Sequence, residues 1–319
     1  MPSRCRRLRV TERRPRRSAA APAGLLAVLL ATAVAGAAAQ TGTPETAPPL
    51  ELRVNGAWTP WHRFLPGAAA VRDPLLVAAV RWTDSAPGVR IGAFEIRTAG
   101  HLWTNSVAVV ELDPGRLRFE LAAGPRWERR SADEAMRDSG VVLAVNTGLF
   151  RDDGSPQGLV RLGGERRSAA AGWLDVVVAI EDGSVRVLDL VGVRALGAGV
   201  SAFQTLPWLV RDGRVVLGVS SGVRLSRTHR DRRLTLCLGA DRLVRFLLSN
   251  FEVFGRPAGR VPVGLTIPEQ ATVAAAAGCR DAVALDGGIS AQLAVRGTAR
   301  LHRMPGWRQV PLLMLARAR

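Results

Sequence analysis

Apolar residues in this chain come in short runs, not at helical spacing. Runs of mostly four to nine residues, rich in Val and Leu, recur at Leu75–Thr83, Arg90–Arg97, Ser106–Leu112, Val141–Asn146, Trp173–Ile180 and Val185–Leu190. They continue at Trp208–Val210, Val215–Val219, Leu234–Leu238, Leu243–Leu248, Ala282–Leu285 and Gln292–Val295. Gly, Asp or Pro bounds most of them. Short runs with this composition and these boundaries predict strands. Asp182-Gly183 and Asp212-Gly213 each fall between two apolar runs. They predict hairpin turns, because Gly supplies a positive φ.

Helical signals are few. Ser131-Ala132-Asp133-Glu134 has capping-box spacing and opens a short helix before Gly140. Thr266-Ile267-Pro268-Glu269 repeats that spacing, with Ala271–Ala277 following and Gly278 as a stop. Each of these helices leads directly into an apolar strand. The pattern predicts an α+β fold: one β-rich domain over residues 51–319, with a mixed sheet and few short helices. A Thr/Pro/Ala linker over 40–50 precedes it. No second linker and no repeat interrupts it.

The first 39 residues follow a different logic. Eight arginines and one acid occupy residues 1–17, and an uncharged Ala/Leu/Val/Gly stretch ends in Ala37-Ala38-Ala39. A basic segment, an apolar segment and a small-residue site predict a cleaved signal peptide and a secreted or periplasmic protein. The alternative is an uncleaved anchor. Cleavage leaves no stable membrane span.

Charge changes the picture only in part. Lys plus Arg is 44 and Asp plus Glu is 27, a net +17, and every basic residue is arginine. Loss of residues 1–39 removes eight of those arginines and Glu12, which lowers +17 to +10. The absence of lysine excludes a Walker A loop, a Schiff base and a Ser–Lys dyad. No basic cluster is interleaved with aromatics in the manner that stacks on bases, so no nucleic-acid partner is expected. The remaining positive field suits an anionic substrate or envelope surface. Cys237 and Cys279 remain in the mature chain, and the sequence leaves their pairing open. No dedicated metal-ligand spacing is present, and the sequence leaves cofactors unknown and metal dependence open.

Three constellations carry candidate chemistry. Asn146 ends the run Val141–Asn146 and leads into a Gly/Pro-punctuated polar loop. It reads either as a site residue at a strand end or as a plain turn residue. Asp286-Gly287-Gly288-Ile289-Ser290 follows the run Ala282–Leu285. A carboxylate there suits a general base, a nucleophile or a metal ligand; it also suits a turn cap. The two glycines would let a ligand approach the backbone, with their N–H groups toward an anion. The third is Arg224, Arg227, Arg230, Arg232 and Arg233. One or two of these, Arg232 or Arg233, are the best placed to meet an oxyanion. A serine-hydrolase pattern also exists, with Ser220 in Gly218-Val219-Ser220-Ser221-Gly222 and with Asp286 and His302 following. No helical segment follows Ser220, which disfavours a nucleophile elbow.

Taken together, five segments resemble the phosphodiester glycosidase family. They are Ala144-Val145-Asn146-Thr147-Gly148-Leu149-Phe150, Pro156-Gln157-Gly158, Gln204 to Gly213, Gly278-Cys279 through Leu285-Asp286-Gly287-Gly288-Ile289-Ser290, and Arg308-Gln309-Val310-Pro311. Departures are Thr147 in place of a second Gly, Arg232-Arg233-Leu234-Thr235 as a loose match to an Arg-Thr-Ala-type segment, and Leu312 in place of Asn after Val-Pro. The resemblance implies an exported bacterial hydrolase that cleaves the glycosidic C–O bond of a sugar-1-phosphodiester. It implies catalytic roles for Asp286 and Asn146. Gly148, Gln204, Arg232, Arg233, Gly287, Gly288 and Ser290 would bind a sugar-phosphate or envelope-glycan substrate. Asp152, Asp153, Asp231 and Glu269 are candidates for a second carboxylate. The alternatives are a non-catalytic glycan-binding domain of the same fold, or a phosphodiesterase cutting P–O.

Overall fold

The computed structural model describes residues 49–319, except 63, 102, 219–224, 254–255 and 258–263. Residues 1–39, most of the linker, Ser220 and Arg224 lie outside the described residues. All but one of the short apolar runs form strands, and their pairings among the described residues are antiparallel. Val89–Thr98 pairs with Thr104–Leu112 from Val89↔Leu112 to Ile96↔Asn105. Short connections of this kind suit antiparallel neighbours.

Three sheets result. An eleven-stranded sheet runs in the order Arg214–Gly218, Trp208–Arg211, Cys279–Ala284, Leu234–Gly239, Val244–Val253, Thr104–Leu112, Val89–Thr98, Leu50–Val54 and Ala57–Pro60. Arg256–Pro257 and Arg81–Ala86 pair alongside it. A five-stranded sheet has Ser184–Asp189, Val176–Glu181, Ser201–Thr205, Val160–Leu162 and Glu165–Ser168. A second five-stranded sheet has Leu301–Met304, Leu293–Arg296, Val141–Asn146, Leu312–Ala318 and Leu117–Ala123. Their inner faces meet in one core. Val110, Leu236 and Phe246 come from the large sheet, Val178 and Phe203 from the second, and Val145, Leu293 and Met314 from the third. Each such buried side chain is worth about 1.5–3 kcal/mol, so the shared core holds three sheets against one another.

Local signals explain the turns and helices. Asp182 and Gly183 have φ of 50° and 74°, and Asp212 and Gly213 have 48° and 72°. Two consecutive positive φ values are what a two-residue hairpin turn demands. Both capping boxes form, at Ser131 with Glu134 and at Thr266 with Glu269. The helix Ile267–Ala276 is buried on every side, which fits its lack of a polar stripe. One expectation is overturned. Leu75–Thr83 is not a single strand: Pro74–Ala79 is helical and a strand occupies Arg81–Ala86. Asp73 caps that helix by accepting from the Leu75 and Leu76 amides, and Pro74 sits at its first position. Those two start signals outweigh the apolar run.

Several strands escape the pattern, among them Leu117–Ala123, Ser201–Thr205 and Leu312–Ala318. The first carries Arg118 and Glu120 among its apolar residues, the last carries Arg317, and the middle one buries Gln204 and Thr205. Cys237 and Cys279 form a disulfide across neighbouring strands, with Cα atoms 5.4 Å apart.

Candidate active site

Strand Val141–Asn146 lies between Leu293–Arg296 and Leu312–Ala318. Its last residue is a brace. The Asn146 side-chain amide donates to the main-chain carbonyl of Asp286 at 2.7 Å, and its Oδ1 accepts from the Gln292 amide at 2.8 Å. The Asp286 N–H donates to the Thr147 carbonyl at 2.8 Å. The buried Thr147 hydroxyl in turn donates to the Leu312 carbonyl at 3.2 Å. The backbone of Asp286 is thus clamped on both sides by residues 146 and 147.

The two glycines after Asp286 admit a neighbouring chain segment. A Cβ at Gly287 would stand 2.7 Å from the Arg232 carbonyl, and one at Gly288 would stand 3.0 Å from the Asp231 carboxylate. Gly288 also has a φ of +58°, which disfavours any larger residue. The Gly288 N–H donates to the Arg232 carbonyl at 2.8 Å, and the Gly287 N–H meets the Asp286 carboxylate. The glycines therefore bring segment 231–232 against the site, and their amides are engaged within the fold.

Asp286 is the electrostatic centre. Burial pushes its carboxyl up to about 7, against a hydrogen bond from the Ser290 hydroxyl and the attraction of Arg308. The nearby Asp231 carboxylate raises it further. Asp231 is itself raised by burial, against the pull of the Arg232 amide, Arg233 and His229. Two neighbouring carboxyl groups that resist ionisation are the arrangement used for acid–base work. Of the four candidates for a second carboxylate, Asp231 is the one whose charge reaches Asp286. Glu269 is buried and bound by both terminal nitrogens of Arg230. Asp153 caps the amide of Ser155. The exposed Asp152 carboxylate pairs with Arg308 at 2.6 Å.

Arg232 and Arg233 point into the protein. Arg232 is 1% exposed, with Nε on Asn250 Oδ1 at 2.8 Å and Nη1 on the Pro305 carbonyl at 2.7 Å. Its Nη2 has no partner among the described residues, and burial pulls the guanidinium down to about 10. Arg233 donates to the carbonyls of Leu265 and His229. Through Pro305, Arg232 holds the loop that carries Arg308.

Gln204 is a hub. Its Nε2 donates to the carbonyls of Ala171 and Leu174, and its Oε1 accepts from the Leu159 and Ala171 amides. Gly148 and Gly158 both pack on it. A Cβ at Gly148 would lie 2.3 Å from the Gln204 carbonyl, and one at Gly158 would lie 2.9 Å from its side chain. Three separate motif residues thus meet at one structural joint. His302 pairs with Asp84 at 2.8 Å, which separates it from any triad role with Asp286.

Arg308 was named in sequence only as part of a closing motif, yet it faces Asp286. Its amide and that of Trp307 donate to the Ile289 carbonyl at 3.0 and 2.8 Å. Gly306 makes this possible, since a Cβ there would meet three carbonyls of the turn at 3.0–3.2 Å. The guanidinium lies 4.7 Å from the Phe150 ring centroid. The available signal was an arginine next to an aromatic, Trp307; the packing of residues 306–308 onto the turn is not legible along the chain. Trp307 and Ile289 form an exposed apolar rim beside it. Among the described residues, no group of three His, Cys, Asp or Glu side chains forms a metal site.

Comparison with known proteins bears on the family and the fold. No curated protein matches the chain. A Synechocystis structure titled a hypothetical protein superimposes with a TM-score of 0.54 at 14% identity, over 75% of this chain and 64% of that one. The chain therefore spans a little under two thirds of that relative. The catalytic domain of zebrafish N-acetylglucosamine-1-phosphodiester alpha-N-acetylglucosaminidase, auto-inhibited by its pro-peptide, superimposes with a TM-score of 0.57 at 14% identity. That match covers 79% of this chain and 94% of the zebrafish one. At such identities the likeness is one of fold. A family model, Phosphodiester glycosidase, matches residues 139–314, which include Asn146, Asp231, Asp286, Ser290 and Arg308. By that match over more than half its length, the chain belongs to the phosphodiester glycosidase family.

Proposed function

We propose that this protein hydrolyses the bond between the anomeric carbon and the phosphate oxygen of a sugar-1-phosphodiester. Water adds its hydroxyl to the anomeric carbon. Its remaining proton is released, and the phosphate departs as a monoester on the other alcohol. The carrying observation is one carboxyl group, Asp286, held near neutrality between a second carboxyl and an arginine. A phosphate monoester leaves as a stable anion, so strong protonation of the leaving group is unnecessary. Charge stabilisation carries more of the barrier. Asp286 activates the water or attacks the anomeric carbon. Asp231 sets its proton affinity. Arg308 faces the departing phosphate, and Ser290 orients the Asp286 carboxylate. Asn146 is a positioning residue, because it touches only the backbone of Asp286 and Gln292.

The direct test uses the purified mature chain with a GlcNAc-1-phosphodiester such as UDP-GlcNAc. Reducing sugar should appear, and Asp286→Ala should abolish it. In ¹⁸O-water the label should enter the sugar; label in the phosphate would instead establish P–O cleavage. A folded wild type without turnover would favour the non-catalytic, glycan-binding alternative.

We also infer export to an oxidising compartment. The Cys237–Cys279 disulfide supports this, since such bonds persist outside the reducing cytosol. Among the described residues no helix is long and apolar enough to cross a membrane.

A further inference from the structure

A row of stacked arginines and aromatics runs outward from the Arg308 side of the site. Phe150 is shared by two guanidinium groups, Arg308 at 4.7 Å and Arg129 at 5.5 Å from its ring centroid. Arg129 also donates to the carbonyls of Arg151 and Asp152. Two residues before it, Trp127 has the Arg167 guanidinium 5.6 Å from its ring. Arg167 is tied at the far side to the Pro125 carbonyl at 2.8 Å. The loop after Phe150 is packed onto this row. A Cβ at Gly154 would lie 3.1 Å from the Trp127 carbonyl and 3.5 Å from Arg129 Nε.

The row is under-neutralised. Arg129 has no carboxylate within 4.0 Å among the described residues. Arg167 has only Glu165, at 3.9 Å, with a side chain 75% exposed. Arg308 has Asp152, whose side chain is 100% exposed. A ring beneath a guanidinium orients it; Nη2 of Arg129 and of Arg167 is held by carbonyls, and the other N–H groups of these two, which have no hydrogen bond among the described residues, suit oxyanions. A neutral aglycone would gain little from three such groups.

We propose that Arg308, Arg129 and Arg167 form a subsite for an aglycone that carries further phosphate groups. The preferred substrate is then a sugar-1-phosphodiester within a polyanionic chain, not one capped by a neutral alcohol. This rests on the glycosidase reading above and extends it to the substrate class. Arg129 and Arg167 are half-buried and each bonds main-chain carbonyls, so their loss should alter substrate choice at a modest cost in stability, with the fold retained.

The experiment compares two diesters with the same sugar: the methyl ester of GlcNAc-1-phosphate, and that diester extended by three glycerol phosphate units. Wild type should favour the extended diester by about tenfold or more in kcat/KM at about 50 mM salt. The preference should shrink toward unity at about 500 mM. Arg129→Gln and Arg167→Gln should each lose about three- to tenfold on the extended diester and nothing on the methyl ester. Arg129→Lys should fall between, because it keeps the charge and loses the stacked fork. Melting curves verify folding, and Arg167→Gln carries the test if Arg129→Gln unfolds. Equal kcat/KM for the two diesters, or equal loss on both, overturns the subsite. If neither diester is cleaved, the glycosidase reading fails separately. Calorimetric binding of the extended diester then decides the subsite: binding weakened in both Gln variants upholds it, and no binding, or binding unchanged in them, overturns it.

Discussion

The side-chain amide of Asn146 holds the main-chain carbonyl of Asp286 at 2.7 Å, across 140 positions of sequence. This bond joins the ends of two strands that belong to different sheets. Asn146→Ala removes it and leaves the Gln292 amide without its acceptor. The expected loss is about 2–3 kcal/mol of stability, since two buried groups go unpaired. Turnover should fall more than KM rises, because the residue orients Asp286 without facing substrate. Denaturant melts and steady-state kinetics on one preparation check both parts.

The pH profile follows from Asp286. If its ionised form acts, kcat/KM rises with pH through about 7. Asp231→Asn removes a repelling charge, so the acidic limb moves to lower pH. Arg308→Met removes an attracting charge, so the limb moves to higher pH and the rate also drops. Opposite displacements by the two variants are the diagnostic result; no displacement by either would detach Asp286 from the profile.

Stability should respond to pH with a fixed sign. The folded carboxyl is raised from 3.8 to about 7, so the folded state binds more protons between those values. Its contribution is most favourable below 3.8, declines as pH rises through that window and is flat above it. Asp286→Asn relieves the penalty. It should melt higher than wild type at pH 8, by roughly 3–8 °C, and equal to it near pH 4. Differential scanning calorimetry at the two pH values reads this directly.

Gly148 faces backbone at a distance no Cβ tolerates, 2.3 Å from the Gln204 carbonyl. Gly148→Ala should cost about 1–3 kcal/mol by overpacking. Gly172→Ala is the control, because nothing lies within 4 Å of a Cβ there. Equal denaturation midpoints for the two variants would remove the joint at Gln204.

The disulfide closes a loop with a sequence separation of 42. That loop contains the buried helix Ile267–Ala276. Replacing both cysteines by alanine should lower stability by about 2–4 kcal/mol. Unfolding under reducing and non-reducing conditions should differ in wild type and coincide in the double variant.

Much of this protein is set locally and is therefore readable along the chain. The strands at Val141–Asn146 and Leu234–Gly239, the two Asp-Gly hairpins and both capping boxes each depend on neighbours a few residues away. The same holds for the placement of Asn146 and Asp286 at strand ends, where an apolar run meets a polar motif. Local reading fails where two local signals compete, as at Pro74–Ala79, and where a strand carries polar residues inward, as at Ser201–Thr205.

The division of roles was decided only by the tertiary structure. Gln204, Gly148 and Gly158 share motifs with the site yet build a joint, because Gln204 meets four main-chain partners that sequence spacing does not encode. Glu269 and Arg230 neutralise each other, 39 positions apart. Asp231 became the partner carboxylate because two glycines let its segment approach Asp286. Arg308 entered the site because residues 306–308 pack onto the turn Gly288–Ser290. Sequence alone determined which residue types stand at which strand ends, since secondary structure answers to short-range sterics and periodicity. Proton affinity and charge pairing answer to distance and burial, and these exist only once three sheets close on one core.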